Sequence, residues 1–129
     1  NFIGRWDLID KNPKIIADVT HNIEGFSFMI KQLKKEDYQK LHFVLGFVKE
    51  KDVKSIMKLL PLNATYYLCS PSIERALPLE DLVYLAKAFM FNYSSYTSVH
   101  NALNAAKEKS NSNDLIVVSG STFVVAEII

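Results

Sequence analysis

Polar groups able to do chemistry gather in short stretches that each follow an apolar run. The first is Asp18-Val19-Thr20-His21-Asn22. A carboxylate at Asp18 can accept two hydrogen bonds from a diol such as ribose. His21 offers an imidazole, a side chain suited to binding or to proton transfer, and Asn22 opens a helical pattern whose amino end favours negative ligand groups. A structural reading is equally open: Asn22 caps the helix and Asp18 satisfies loop amides. The second stretch is Ser119-Gly120-Ser121. Gly120 lets backbone approach a ligand and the flanking hydroxyls can donate to a carboxylate, or one of them simply caps a helix. The third runs from Gly46 to Asp52 and carries Lys49, Lys51 and Asp52, a charged loop of a kind that is usually solvated. Gly4-Arg5 stands before the first strand, and an arginine fork suits phosphate oxygens.

Other patterns are missing. There is no GxxxxGK[ST], and no GxGxxG follows the first strand. The main phosphate grip of any nucleotide site must therefore come from elsewhere. His42 and His100 have no second ligand-type residue at metal spacing, so both read as structural or solvated and no metal site is expected. Cys69, the only cysteine, lies in an apolar run and reads as core; with no internal disulfide possible, a reducing compartment, the cytoplasm, is expected. No apolar stretch approaches the ~20 residues needed to span a membrane. Net charge is +1 with interspersed signs, so no basic stripe awaits nucleic acid. The chain opens with Asn1 rather than Met, which points to a piece of a longer protein.

These stretches need a scaffold. Strand-like runs are Trp6–Ile9, Ile15–Asp18, His42–Phe47, Thr65–Cys69 and Leu115–Ser119, several of them apolar throughout, as in strands covered on both faces. Helical stripes lie between them: Ile23, Phe26, Ile30 and Leu33; then Val53, Ile56, Met57 and Leu60; then Leu79, Leu82, Val83, Ala86, Phe89 and Met90; then Val99, Ala102, Leu103 and Ala106. Alternation of this kind predicts a Rossmann-like three-layer α/β domain with a mostly parallel sheet. The Asp10–Lys14 link is too short for a crossover, so the first two strands should form an antiparallel hairpin at the sheet edge. The tail Thr122–Ile129 fits either a strand or a helix capped by Ser119 or Ser121. Residues 1–129 read as a single domain, since no linker or repeat interrupts them.

In order, Gly4-Arg5, Asp18-x-x-His21-Asn22, Val44-Leu45-Gly46 with Lys51-Asp52, Glu74-Arg75-Ala76, and Ser119-Gly120-Ser121 with Glu127 closely resemble the C-terminal domain of folylpolyglutamate synthase/dihydrofolate synthase, in the Mur ligase superfamily. The resemblance spans essentially the whole chain. It implies a domain that closes over a central ATPase domain of the same protein. There ATP and magnesium phosphorylate a folate or dihydropteroate carboxylate, and the L-glutamate amine attacks the acyl phosphate. By matching position, Arg5 and Asp18 would bind ATP, and His21 and Ser121 would serve catalysis or hold glutamate. Asn22, Lys51, Asp52, Arg75, Ser119 and Gly120 would support them. The phosphate loop and magnesium ligands would belong to the central domain, so the isolated domain is expected to be inactive. Family members often read Asp-Gly-Ala-His-Asn-Pro; Val19, Thr20 and Ile23 depart from that and leave the local turn open. Glu74-Arg75-Ala76 favours the folate branch over peptidoglycan ligases with Asp-Asn-Pro-Arg. Two other readings use the same residues: another Mur-type amino-acid ligase, and a non-catalytic Rossmann-like nucleotide- or protein-binding module. A GxxxxGK[ST] upstream would separate ligase from module.

Overall fold

The helices start where short polar side chains can take up free amides. Asn22 Oδ1 accepts from the Gly25 amide at 2.8 Å and opens α1, Ile23–Leu33. Asp52 caps α2, Val53–Leu59, and Ser98 caps α4, Val99–Lys109. Ser121 caps the five-residue α5, Thr122–Ala126, so the tail is a helix and Ser121 is its cap. The helix α3, Leu79–Ala88, begins after Pro78 without a side-chain cap, with Glu80 and Asp81 against its positive end. The computed structural model describes residues 6–49 and 52–128.

Six strands form one sheet in the order β1-β2-β6-β3-β4-β5: Asp7–Asp10, Lys14–Ala17, Leu115–Ser119, Leu41–Leu45, Thr65–Leu68 and Asn92–Ser95. β1 pairs antiparallel with β2 at the edge, as the short link requires, and every other pair is parallel. Side-chain alternation divides the core. Phe43, Leu45, Tyr66, Leu68 and Val117 pack with α1, α2 and α3 on one face. Val44, Tyr67, Ile116 and Val118 pack with α4 and α5 on the other. Each fully buried large apolar side chain contributes about 1.5–3 kcal/mol. The three-layer Rossmann-like class is therefore the observed one.

Two expectations need correction. β5 is a sixth strand without an apolar run, Asn-Tyr-Ser-Ser; as an edge strand it is largely exposed and needs none. Met90 does not continue the α3 stripe: the helix ends at Ala88, and Met90 sits at φ 63° with 84% of its surface exposed, turning the chain so that Phe91 enters the core. Among the described residues, no helix is long and apolar enough to cross a membrane.

Candidate functional site at the carboxyl edge of the sheet

β2 and β6 are neighbours whose following helices leave to opposite faces, α1 to one and α5 to the other. In open α/β sheets, ligands bind in the crevice that such a divergence creates outside the carboxyl ends of the strands. Asp18 stands there, 7% exposed, its amide extending the β2–β6 ladder to the Val118 carbonyl at 3.0 Å. Its Oδ1 accepts from the Thr20 amide at 2.9 Å and, at very short range, from the Thr20 hydroxyl. No hydrogen bond from the described residues reaches Oδ2. His21 places Nδ1 3.2 Å from the Val19 carbonyl. A carbonyl only accepts, so the neutral ring carries its proton on Nδ1 and presents Nε2 as an acceptor. Asp18, His21 and Asn22 line one cavity of about 570 Å³ with Trp6, Thr20 and Phe28. The structural reading of Asn22 and Asp18 thus holds, and it leaves Asp18 Oδ2 and the His21 ring facing open space.

Behind this cavity, the loops after β3 and β6 touch. Gly120 has φ +116°, and a Cβ there would lie 2.1 Å from the Gly46 carbonyl oxygen. Gly120→Ala should therefore cost roughly 2–3 kcal/mol, from left-handed strain and displaced backbone together. A lowered urea midpoint with unchanged m checks this, and an unshifted midpoint would refute it. Ser121, 2% exposed, accepts from the Val124 amide at 3.1 Å, and its own O–H remains free to donate. Ser119 is fully buried, and its Oγ has no hydrogen-bond partner among the described residues.

Of the third stretch, Lys49 lines a separate cleft. Lys49 N donates to the Arg75 carbonyl at 2.8 Å, and Leu77 N donates to the Phe47 carbonyl at 2.8 Å. These bonds pin the loop after β3 to the loop after β4. Lys49, Glu74, Arg75 and Phe123 line a cavity of about 540 Å³, with the Arg75 guanidinium 6.0 Å from the Phe123 ring centre. Asp52 is spent on the α2 cap; hydrogen bonds from the Ser55 hydroxyl and amide hold its carboxyl below the usual range. Glu127 accepts from the Ser72 amide at 2.7 Å and ties α5 to the β4 loop. The expected roles of Gly4, Arg5 and Lys51 fall outside the described residues. Cys69 is core, its thiol pushed up to about 12 by burial and by the Glu127 charge. His42 is buried and structural, and His100 is exposed on α4.

The structure adds Thr20, Trp6 and Phe28 to the residues expected at this site. Asp-x-Thr spacing is itself a turn signal that could have found Thr20. Phe28 lies off the Ile23–Phe26–Ile30–Leu33 stripe and is 62% exposed, so its mismatch with the helical period was the available clue.

A doubly wound α/β domain with a carboxylate and an imidazole lining its crevice has the layout of the open-sheet class, in which ligands are taken at that crevice. Comparison makes this specific: the chain belongs to the Mur ligase, glutamate ligase domain family, whose family model matches residues 4–122. It is similar to dihydrofolate synthase/folylpolyglutamate synthase of Buchnera aphidicola, at 27% identity over 127 residues covering 96% of this chain and 30% of the relative. It is 30% identical over 128 residues to a probable bifunctional folylpolyglutamate synthase/dihydropteroate synthase of Haloferax volcanii, covering 96% of this chain and 15% of that protein. Among solved structures, the Yersinia pestis bifunctional folylpolyglutamate synthase/dihydrofolate synthase complexed with AMPPNP and Mn ion superposes with TM-score 0.89 at 22% identity, over 99% of this chain and 30% of that one. Mycobacterium tuberculosis folylpolyglutamate synthase complexed with ADP and AMPPCP gives 0.88 at 23%, over 98% and 32%. At these identities the structures establish the fold. The chain spans less than a third of the length of the relatives described.

Proposed function

We propose that this chain is the C-terminal domain of an ATP-dependent ligase that joins L-glutamate to a folate or dihydropteroate carboxylate through an acyl phosphate. The observation that carries this reading is the Asp18–His21 cavity at the sheet crevice of a Mur ligase glutamate ligase domain. The names and bound nucleotides of its relatives support the substrate class. Asp18 Oδ2 would accept from ribose hydroxyls while Oδ1 stays locked by Thr20. Arg5 would bring positive charge to the ATP phosphates, where charge moves during transfer. The γ-phosphoryl of ATP passes to the folate or dihydropteroate carboxylate, leaving ADP; the glutamate amine then attacks the acyl carbon, loses a proton, and inorganic phosphate leaves. His21 lies at the same crevice to assist that proton loss or to hold a glutamate carboxylate, with Ser121 as a further donor. Closure of this domain on the central ATPase domain would keep water from the acyl phosphate.

Magnesium would arrive with the ATP phosphates and neutralise their charge. Among the described residues, no three His, Cys, Asp or Glu side chains come together as a metal site. The same reading places the enzyme in the cytoplasm, where a buried Cys69 thiol stays reduced.

Asp18→Ala in the full-length protein tests the nucleotide role. Loss of a charge-assisted contact of roughly 1.5–3 kcal/mol should raise KM for ATP about 10- to 100-fold. Loss of the Thr20 lock costs stability only about 1 kcal/mol, so folding survives. Steady-state ADP release, dependent on both L-glutamate and a folate or dihydropteroate acceptor, is the readout. Unchanged ATP kinetics would remove Asp18 from the site, and ADP release driven by another amino acid or acceptor would overturn the folate assignment.

A further inference from the structure

Ser119 Oγ is fully buried and, among the described residues, is the buried side-chain polar atom left without a hydrogen bond. An orphaned hydroxyl in a packed interior calls for a physical reason, because alanine would fill nearly the same space without one. Strand register supplies the reason. Ala17 pairs with Val118, and the Asp18 amide donates to the Val118 carbonyl, so Asp18 stands beside Ser119 on the next rung. Ser119 also pairs with Leu45, whose side chain packs on the α1 face of the sheet, so Ser119 points to that face. Asp18 follows Ile16 to the same face, and its cavity is lined by the start of α1. Neighbouring strands lie about 4.8 Å apart, a gap that a serine hydroxyl and a carboxylate on one face can bridge. Asp18 Oδ1 is already taken twice by Thr20, which leaves Oδ2.

We propose that Ser119 is a positioning residue for Asp18, its hydroxyl donating to Oδ2 when a nucleotide occupies the cavity. This rests on the nucleotide reading of Asp18 given above. A carboxylate offers about four acceptor positions, so one bond from Ser119 fixes its plane and still leaves Oδ2 able to accept from a ribose hydroxyl. The Gly46–Gly120 backbone contact holds the Ser119 peptide in place, so the adjustment falls to the two side chains.

The test is calorimetry with ADP and ATP steady-state kinetics on the full-length protein. Ser119→Ala should weaken ADP binding and raise KM for ATP about five- to tenfold, shift kcat at saturating ATP less than twofold, and leave the melting temperature equal or higher. Ser119→Cys, with a weaker donor, should fall between. In an Asp18→Ala background, Ser119→Ala should add nothing. Wild-type ADP affinity in Ser119→Ala overturns the proposal, whatever happens to melting. An equal loss in both backgrounds also overturns it, since Ser119 would then act independently of Asp18. If the wild-type full-length protein binds no ADP, the nucleotide reading falls and this proposal falls with it.

Discussion

Asp114→Ala should destabilise the domain by about 3–5 kcal/mol, because it leaves a buried imidazole and two backbone amides without their acceptor, at roughly 1–3 kcal/mol for each group left unsatisfied. Asp114 Oδ2 lies 2.9 Å from His42 Nε2, and His42 Nδ1 lies 2.8 Å from the Tyr67 hydroxyl. Their side chains are almost wholly buried, at 4% exposure for His42 and 1% for Asp114. Asp114 also accepts from the Asn111 amide at 3.0 Å and the Lys40 amide at 3.3 Å. One carboxylate therefore ties the amino ends of β3 and β6 to the loop after α4, while Tyr67 brings in β4. Its removal leaves His42 Nε2 and two amides without their acceptor. Urea unfolding should show a midpoint shift of that size, and a shift below about 1 kcal/mol would mean that water replaces the carboxylate.

The same group sets an acid limit. Burial works to raise the Asp114 pKa, but the Asn111 amide, the His42 ring and the Lys40 amide outweigh it and hold the carboxyl below its usual 3.8. A depressed folded pKa contributes stability that is fully present above the unfolded value, about pH 4, and is lost as pH falls through the lower folded value. Wild-type protein should lose stability through that window more steeply than Asp114→Ala does. Parallel acid limbs in the two proteins would deny Asp114 this role. Because the network sits at the amino ends of the strands, away from the crevice, KM for ATP in the full-length variant should not follow the loss of stability.

Much of this architecture was legible because its cause is local. Leu41–Leu45 and Leu115–Ser119 are buried at every position, and their sequences are apolar apart from His42 and Ser119. The hairpin followed from a link too short to cross the sheet, and the Asp18–His21 placement from polar residues at the tip of an apolar strand. The remainder depends on contacts that no local pattern encodes. His42 meets Asp114 across 72 residues, and Asp18 stands on the rung beside Ser119 only because β6 inserts between β2 and β3. Lys49 and Arg75 come together through loop backbone rather than side-chain type. β5 has no hydrophobic signature because its outer edge is free, and the tail resolves as a helix because Ser121 caps it and Val124 and Val125 are buried. The sequence therefore points to the edge of the sheet where chemistry would occur, while the partners that hold each group there emerge from topology.

On the proposed reading, His21→Ala in the full-length ligase should lower kcat/KM for glutamate about 100-fold while ADP affinity changes less than about twofold. Two roles remain in competition: a charged ring that binds a glutamate carboxylate, and a neutral ring that takes the amine proton. The 3.2 Å contact of Nδ1 with the Val19 carbonyl serves both, since either ring form donates Nδ1–H; in the neutral ring it leaves a lone pair on Nε2 for the amine proton. His21 is only half-buried beside the cavity, so an incoming ammonium group can reach that nitrogen without unfolding the loop. The expected signature is a kcat that stays low at saturating glutamate, since the amine must lose a proton before or during attack on the acyl carbon. Acyl phosphate should still form, so ADP release in a single turnover without glutamate should keep its wild-type rate. A raised KM for glutamate with kcat preserved would instead assign His21 to carboxylate binding. Wild-type values for both would leave it as a residue that only shapes the turn into α1, its ring held by Val19 and serving no substrate.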